Sequence, residues 1–498
     1  MSSLRETSVI IVGGGPVGLL SALLLARQGI PCVVFEQRDG ISTHPKAMGI
    51  TRRTAEVFRE LGLLEKMREE DFSTPETQLI IWAKSLVGEE LGRAPLPPGN
   101  SPLSPCSPFH SPQPHTESVL LAAVEAEPLA SVHYRSRISG CRELPHGVDL
   151  DVEMPEGSVT WRAEWVIAAD GAASPMRRML GVEADGPGDL GHFLNVFFHA
   201  DLGAVLEGRH ALLYNILRED AVEFFVSVNG RDLWLMHHFL DAGTEREHLD
   251  AAKTSELIRD AAGIPDLRAT VLRTAQWVMS PKVAAKFREG RVFFVGDAAA
   301  RLSPAGGLGM NTGLQSAHNL AWKLAAVIHG TAEPGLLDSY EQERQGVSRS
   351  VMRHTNEGSG EIFRQNDRAL HGDFDGVRRL VAESTRREED SAYDTGVRYG
   401  EMSRLPHGWL IHGDRRISSL DLVGGRFVVL AGPEAMLVAP DLPEVIRPAR
   451  FDDADFPERA GFGKSGAILV RPDGFVAWQK SADATDNDVR AAYRAARR

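Results

Sequence analysis

Residues 8–18 read SVIIVGGGPVG, a β-branched run followed by the spacing GxGxxG. A helical run to Gln28 comes next, and a second apolar run from Pro31 to Phe35 ends in Glu36. Strand, glycine turn, helix and strand in this order predict a βαβ unit. Such a turn lets backbone N–H groups approach a pyrophosphate, and the acid after the second strand accepts hydrogen bonds from a ribose. The stretch therefore predicts dinucleotide binding; a tight turn without a ligand is the structural alternative.

Two further motifs place an acid directly after an apolar strand. Asp170 follows the run 165–169. Asp297 follows the run 291–295 and precedes a glycine-rich loop that leads into a helix. A carboxylate beside glycines and a helix N-terminus suits a polyol ligand, although each motif taken singly fits a capped turn equally well.

The hydrophobic pattern divides the chain into four segments. Residues 1–184 carry the βαβ pattern, 185–285 carry aromatic strand patterns typical of a mixed or antiparallel sheet, and 286–390 return to parallel-strand and helical patterns. Residues 400–498 are interpreted as a separate small α/β domain. The proline-rich stretch 95–114 predicts an irregular loop, either a linker or a flap over a site.

Composition excludes several classes of protein. The chain has 498 residues, 43% of them apolar and 25% charged, as in soluble globular proteins. Its net charge of −13 argues against nucleic-acid binding. The longest apolar stretch, 9–26, is interrupted by glycines, so we expect no membrane partner. Cys32, Cys106 and Cys141 form neither a disulfide framework nor a metal site, which favours a cytoplasmic location.

The order of the three motifs resembles that of the FAD-dependent aromatic hydroxylases, flavoprotein monooxygenases of the p-hydroxybenzoate hydroxylase fold. The resemblance covers about residues 6 to 350. The segment 470–478 is similar to the end of the thioredoxin-like domain in the phenol hydroxylase branch. Supporting patterns of the family are Arg53-Thr54-x-Glu56, Asn319-Leu320-Ala321-Trp322-Lys323 and Tyr340-x-x-Glu343-Arg344.

The resemblance implies an α/β fold with a Rossmann-like FAD-binding domain, an interleaved substrate-binding β-sheet domain and a C-terminal thioredoxin-like domain. Because no cysteine follows Cys141, that last domain cannot exchange disulfides. We expect it to pack against the flavin domain or across a homodimer interface. The sequence holds no second dinucleotide fold, so a nicotinamide is expected to dock on the surface.

The resemblance also implies which residues bind the cofactors FAD and NADPH or NADH. The first glycines hold the pyrophosphate, Glu36 the adenosine ribose, and Asp297 the ribityl or pyrophosphate side of FAD. Lys46, Ala300 and Ser316 stand where the family commonly has Arg, His and Asp, which affects the positioning of the flavin. The implied cofactor residues are Gly13, Gly15, Pro16, Val17, Gly18, Glu36, Gln37, Arg38, Lys46, Gln113, Asp170, Gly171, Arg177, Gly296, Asp297, Pro304, Gly307, Gly309, Met310 and Asn311.

Catalytic residues are harder to name from the sequence. His237, His238 and Tyr214 lie in the predicted substrate sheet, where an imidazole can accept a phenolic proton or simply be hydrogen-bonded in the core. Candidates for an aromatic pocket, or by strand alternation for plain core, are Tyr214, Phe225, Trp234 and Met236.

The activity implied is that of an NAD(P)H-dependent FAD monooxygenase. Such an enzyme hydroxylates a phenolic or polycyclic aromatic substrate with O2 through a flavin C4a-hydroperoxide. Baeyer–Villiger or oxidative decarboxylating chemistry on the same fold is one alternative. A non-catalytic flavin- or ligand-binding protein is the other, and no metal is expected.

Overall fold

The computed structural model describes residues 5–74, 77–96, 101–240, 251–384, 397–448 and 450–498. The end of the predicted second flavin segment, 385–390, and part of the proline-rich stretch, 97–100, lie outside the described residues. The α-helices in chain order are α1 Pro16–Arg27, α2 Arg52–Glu60, α3 Leu64–Met67, α4 Gln113–Glu125, α5 Pro175–Met179, α6 Ala251–Ala262, α7 Leu308–Ile328, α8 Asp338–Leu370, α9 Phe374–Ser384, α10 Phe456–Arg459 and α11 Asp486–Ala495. The strands are β1 Arg5–Val12, β2 Cys32–Phe35, β3 Gly49–Ile50, β4 Leu79–Ala83, β5 Glu90–Pro95, β6 Phe109–His110, β7 Ala130–His133, β8 Arg137–Leu144, β9 Gly147–Met154, β10 Gly157–Ala168, β11 Ala184–Asp185, β12 Gly191–His199, β13 Leu213–Leu217, β14 Val222–Ser227, β15 Leu233–Leu240, β16 Thr270–Met279, β17 Lys282–Ala284, β18 Arg288–Glu289, β19 Val292–Phe294, β20 Ala300–Arg301, β21 Trp409–His412, β22 Arg415–Ser418, β23 Val428–Ala431, β24 Glu444–Ile446, β25 Arg450–Phe451, β26 Ala467–Val470 and β27 Val476–Lys480.

A mainly parallel sheet forms the centre of the first domain, in the order β18-β19-β10-β1-β2-β7, with β9 and β8 continuing from β10. Strands β19, β10, β1, β2 and β7 are parallel. The apolar residues of β1 and β2 are buried because helices cover the sheet. Helix α1 is buried along most of its length, in keeping with its almost wholly apolar sequence. The Rossmann-like arrangement predicted from residues 8–36 is therefore present.

A seven-stranded sheet forms the second domain, in the order β16-β12-β15-β14-β13-β4-β5. Among its described strands, β13 and β4 form the one parallel pair, and the other pairs are antiparallel. Strands β4 and β5 come from residues 79–95, well before the predicted boundary at residue 185. The two domains are thus more deeply interleaved than the sequence pattern indicated, because one hairpin crosses over from the first segment.

The two faces of this sheet have different partners. One face packs on α6 and includes Tyr214, Phe225, Trp234 and Met236 in its core. Of the two alternatives for these four residues, an aromatic pocket or plain core, their alternation onto the α6 face favours the core, although Tyr214 and Trp234 also line a cavity on that side. The Tyr214 hydroxyl donates to the carbonyl of Arg209 at 2.8 Å, and burial raises the pKa of Tyr214 to about 12. It is a core residue.

The C-terminal domain contains a mixed sheet in the order β24-β23-β26-β27 and a smaller one in the order β22-β21-β25. The four buried residues of β26 point alternately into two apolar clusters, one on each face. Trp322 of α7 meets Phe427 of this domain edge to face, with ring centres 5.5 Å apart. The domain therefore packs on the flavin-binding part of the chain. Among the described residues, none of the helices combines the length and apolarity needed to cross a membrane.

Candidate active site

The three sequence motifs meet at one edge of the parallel sheet. Val12, Ala168 and Phe294 are neighbours in register on β1, β10 and β19. The backbone N–H of Ala169 donates to Val12 at 2.8 Å, and that of Val295 donates to Ala168 at 3.0 Å. Each motif follows its strand directly, so all of them lie at the carboxyl ends, where open α/β sheets bind ligands.

The three glycines of the first turn have different roles. A Cβ on Gly13 would lie 2.4 Å from the carbonyl oxygen of Ala169, and one on Gly18 would lie 1.9 Å from that of Gly13. These two glycines therefore allow close backbone packing. A Cβ on Gly15, which immediately precedes α1, would have no neighbouring atom within 4 Å. The open side of Gly15, next to N–H groups that lack partners within the helix, is a cradle for a phosphate.

Glu36 directly follows β2 beside this turn. It accepts hydrogen bonds from the backbone N–H groups of Gly14 at 2.7 Å and Arg38 at 2.9 Å. Burial acts to raise the pKa of Glu36, but the hydrogen bonds and charge of Arg38 outweigh it, so the pKa lies below its usual range. The carboxylate is thus ionised and able to accept ribose hydroxyls. Gln37 follows it and is exposed.

A residue that the sequence did not reveal, Glu117, organises the neighbouring cofactor candidates. It is fully buried and accepts hydrogen bonds from the backbone of Ser42 at 2.6 Å and from Gln113 Nε2 at 2.7 Å. Arg38 Nη1 lies 3.6 Å from its second oxygen. Its position four residues after Gln113, one turn along α4, was the available signal.

The glycine-rich loop after the GD motif shapes the start of α7. Gly306 and Gly307 have φ values of +78° and +65°, which strongly favour glycine. Asn311 Oδ1 accepts from the backbone of Thr51 at 2.9 Å, and its Nδ2 donates to the carbonyl of Gly307 at 2.8 Å. The Asn311 side chain therefore braces the loop, while the first-turn N–H groups at Gly309 and beyond are left for a ligand.

The N-termini of α1 and α7 converge through small residues. A Cβ on Gly296 would lie 3.2 Å from Val17 Cγ2. A Cβ on Gly313, one turn into α7, would lie 2.7 Å from the same atom and 3.0 Å from Gly296 Cα. Two positive helix ends thus face one region of the sheet edge, an arrangement that suits an anionic ligand.

Asp297 is accessible in this region, but the surrounding protein desolvates its carboxylate and raises its pKa. The positive charges of Arg301 and Lys46 oppose that rise. Lys46 therefore acts electrostatically on the GD motif even though it replaces the arginine common in the family. A partly desolvated carboxylate in this position suits hydrogen bonding to the hydroxyls of a polyol.

Asp170 and Arg177 make different contacts at this edge. Asp170 accepts from Ser174 Oγ at 2.7 Å and from the backbone of Met176 at 2.8 Å, so it caps the short helix α5. Arg177 Nη1 donates to the carbonyl of Ala298 at 2.9 Å and thereby connects the DG and GD motifs. Gly171, with a φ of +78°, forms the turn. Both side chains lie at the carboxyl edge of the parallel sheet, where they form hydrogen bonds with protein groups.

The sheet face opposite the α6 core holds the remaining catalytic candidate. His237 Nδ1 lies 3.5 Å from Asn195 Nδ2, and the imidazole meets Trp277 edge to face at 6.1 Å. Loop residue His44 contacts Phe197 on the same face at 6.0 Å. His238 points the other way and contacts Glu223 at 3.0 Å. Of the two adjacent histidines, only His237 faces the flavin-binding part.

The hydrogen-bond donors and acceptors at the sheet edge fit FAD. Gly15 offers an open approach for a pyrophosphate, Glu36 an ionised acceptor for a ribose, and Asp297 an acceptor for the ribityl side. Pro304, Gly307, Gly309 and Met310 border the α7 terminus, where backbone N–H groups are available to a flavin ring. Within the described residues, no group of three or more His, Cys, Asp or Glu side chains is placed to hold a metal ion.

Comparison with known proteins identifies the family. Residues 6–355 match the family described as FAD binding domain, and residues 401–496 match the family described as Aromatic-ring hydroxylase, C-terminal. The chain belongs to the FAD-dependent aromatic-ring hydroxylases. The predicted α/β fold, the FAD cofactor and the monooxygenase class are thereby confirmed.

Relatives of this hydroxylase align over nearly its whole length. It is 34% identical to the tetracenomycin A2 monooxygenase-dioxygenase of Streptomyces glaucescens, covering 96% of this chain and 94% of the relative. It is 30% identical to the aklavinone 12-hydroxylase RdmE of Streptomyces purpurascens, covering 97% of both. The crystal structure of the flavin-dependent monooxygenase PieE with FAD and substrate matches with a TM-score of 0.88 at 26% identity, over 99% of each chain. That of aklavinone-11 hydroxylase with FAD and aklavinone matches with a TM-score of 0.85 at 28% identity, also over 99% of each.

Proposed function

We propose that this monooxygenase uses NADPH or NADH and O2 to hydroxylate an electron-rich polycyclic or phenolic aromatic compound. The overall reaction balances as NAD(P)H, a proton, O2 and ArH giving NAD(P)⁺, water and ArOH. When bound, FAD supplies hydride acceptance and O2 activation, and the protein supplies binding, orientation and exclusion of water.

The observation that carries the substrate class is the aromatic face of the seven-stranded sheet. Phe193 stacks on Trp277 with ring centres 4.7 Å apart and planes 14° apart. Phe239 meets Phe193 at 5.1 Å and Phe363 of α8 at 6.2 Å. Flat rings with few charges favour a planar aromatic ligand. The relatives named for tetracenomycin and aklavinone support a polycyclic substrate.

The decisive experiment measures oxygen transfer. Purified flavoprotein is mixed with NADH or NADPH and a panel of phenols, naphthols and hydroxyanthraquinones under ¹⁸O2. We expect one aromatic class to stimulate NAD(P)H oxidation and to gain a single ¹⁸O atom by mass. Oxidation that yields only hydrogen peroxide with every compound, or product oxygen derived from water, would overturn the proposal.

Arg177 is proposed to assist the reaction with the nicotinamide. Its guanidinium lies between the DG and GD motifs, and burial lowers its pKa. Arg177→Ala should slow flavin reduction in stopped-flow measurements more than it weakens FAD binding. Arg178→Ala, an exposed neighbour on the same helix, is the matched control. Equal reduction rates in the two variants would assign Arg177 a structural role only.

Free thiols support a reducing cytoplasmic location. Cys32, Cys106 and Cys141 are unpaired, and burial raises the pKa of Cys32 and Cys106 to about 12. Such thiols are poorly reactive. The homodimer and the thioredoxin-like character of the C-terminal domain stay predictions.

A further inference from the structure

The face of the seven-stranded sheet that carries Phe193, His237 and Trp277 is called the substrate face below, and a row of side chains crosses it. Asn195 is opposite His237 in register, His237 is opposite Phe224, and Phe224 is opposite Asn215. Because directly opposite residues share a face, these four side chains point toward the flavin-binding part. Polar groups thus interrupt an otherwise aromatic surface at defined positions.

Asn195 lies between two imidazoles. Its Nδ2 is 3.5 Å from His237 Nδ1, and it acts as a hydrogen-bonding neighbour of His44. Asn195 is only 6% exposed and His44 only 4%. Among the described residues, Asn195 Oδ1 and His44 Nδ1 have no partner that meets hydrogen-bond geometry. One buried amide is therefore available to orient both rings.

Both imidazoles are neutral at physiological pH. Burial lowers the pKa of His237 to about 4, with a contribution from His44. Burial likewise lowers the pKa of His44 to about 4, and the charges of Arg273 and Lys46 add to this. A neutral imidazole carries its proton on one nitrogen only, so the group bonded to one nitrogen determines what the other offers.

We propose that Asn195 is a positioning residue that fixes the tautomer of His237, so that His237 Nε2 carries the proton and donates a hydrogen bond to an oxygen of the aromatic substrate. Asn195 Nδ2 can only donate, which makes Nδ1 the acceptor and places the hydrogen on Nε2. Nε2 has no partner among the described residues, and the ring is part-exposed. The inference rests on the proposed function and names what the site recognises.

The oxygen recognised is an acceptor: a ring carbonyl or a phenolate. A donor at this position stabilises the ionised form of a phenol, which makes the ring more electron-rich. His237 then assists hydroxylation without removing a proton itself. Trp277, whose plane is tilted 81° from the imidazole, holds the ring in orientation. The site would reject an otherwise similar ring that lacks this oxygen.

The test uses 1,8-dihydroxyanthraquinone as the probe, with anthraquinone and 2-naphthol to separate carbonyl from phenol recognition. His237→Leu should weaken probe binding about tenfold and raise the pKa of the bound phenol, read from its visible absorbance. In His237→Gln the amide nitrogen can donate from nearly the same place, so most of that loss should be recovered. His238→Gln, on the other face, is the control, and flavin absorbance verifies FAD content.

A double-mutant cycle separates positioning from a structural role. Asn195→Leu should weaken probe binding in the wild-type background, because His237 then adopts either tautomer. Glutamine has no tautomers. In the His237→Gln background, Asn195→Leu should therefore weaken probe binding less than about twofold. Additive losses would overturn the proposal, as would unchanged binding in His237→Leu. A wild-type enzyme that neither binds the probe nor responds to any aromatic compound would instead contradict the proposed function.

Discussion

Arg471 of the C-terminal domain forms a two-point ion pair with Glu343 of α8: Nη1 lies 2.6 Å from Oε1 and Nη2 lies 2.9 Å from Oε2. Arg471 is 4% exposed and Glu343 9%. Burial acts against both charges, but the pairing lowers the pKa of Glu343 and raises that of Arg471. The pair joins two parts of the chain that are 128 residues apart in sequence.

Further buried groups complete this network. Lys323 Nζ donates to Glu343 at 2.8 Å, and Asn319 Nδ2 donates to Glu343 at 2.7 Å and to Asp473 at 3.0 Å. Arg53 Nη2 donates to the backbone carbonyl of Asp473 at 2.7 Å. The turn at Asp473 is therefore held by α2 and α7, and Asn311 of α7 also bonds Thr51, the residue before α2, at the cofactor end.

Breaking the pair from one side should destabilise the protein strongly. Arg471→Ala leaves the Glu343 carboxylate buried with less compensating charge, which typically costs about 3–5 kcal/mol. The expected result is a lower unfolding temperature and earlier FAD release, both followed by flavin fluorescence. Arg490→Ala removes an exposed pair with Asp441 in the same domain and should change stability far less. Equal effects of the two substitutions would contradict the prediction.

The residues of the cofactor edge and those of this network differ in how far the sequence could predict their positions. Gly13, Glu36 and Asp297 could be placed because each lies directly beside a recognisable strand, and neighbouring parallel strands end at the same edge. Arg53 and Lys323 stood out only as family patterns. Their partners come from distant segments, so their role depends on tertiary packing, which local periodicity does not encode.

On the substrate face, too, the local sequence does not determine which side chains lie together. His237 and His238 are equivalent in the sequence, yet a one-residue difference in a strand assigns them to opposite faces. Tyr214 likewise lies on the α6 face, whereas its neighbour Asn215 lies on the face of His237. Only the strand register, set by pairing with β12 and β14, identifies the face of each residue.

Substitution of Gly15 should weaken FAD binding, whereas substitution of Gly18 should destabilise the fold. Gly15 has an extended backbone and open space, so Gly15→Ala should fold normally. Its methyl group would obstruct the pyrophosphate and cost on the order of 1–3 kcal/mol of FAD binding energy. In Gly18→Ala the added carbon would lie 1.9 Å from the Gly13 carbonyl, which should destabilise the fold itself.

Two measurements separate these effects. Urea unfolding of the apoprotein should leave Gly15→Ala near wild type and shift Gly18→Ala to lower urea. Fluorescence titration with FAD should show weaker binding for Gly15→Ala. Tight FAD binding by Gly15→Ala would mean that the pyrophosphate does not approach this glycine.

Acid should destabilise the protein well above the range in which carboxylates protonate. Burial lowers the pKa of His44, His110 and His237 to about 4, from an unfolded value near 6.5. Because the unfolded chain binds protons that the folded one excludes, stability is complete above pH 6.5 and falls as the pH drops from 6.5 to 4. Each group contributes at most about 1.4 kcal/mol per pH unit.

Urea unfolding at pH 7.5, 6.0 and 5.0 measures this slope. His110 packs against Phe72 at 4.6 Å and belongs to the two-stranded sheet of β3 and β6, so His110→Gln tests one contribution while leaving His44 and His237 unchanged. The variant should show a shallower loss of stability between pH 6.5 and 4. A slope identical to that of wild type would mean that His110 protonates equally well in the folded state.

Removal of residues 400–498 should leave an insoluble or markedly less stable chain. The truncation takes Arg471 away from Glu343 and Arg404 away from Glu56, two buried carboxylates of the flavin-binding part. It also uncovers apolar surface around Trp322, which favours aggregation. A chain that ends at residue 485 is the matched control, since it loses α11 and the contacts of Arg497 with Thr331 and Glu333 but keeps the turn at Asp473. We expect the control to remain soluble and to retain FAD, because Arg471, Arg404 and Phe427 still contact the flavin-binding part. If the longer truncation is soluble, binds FAD and turns over at the wild-type rate, then the C-terminal domain does not stabilise the flavin-binding part.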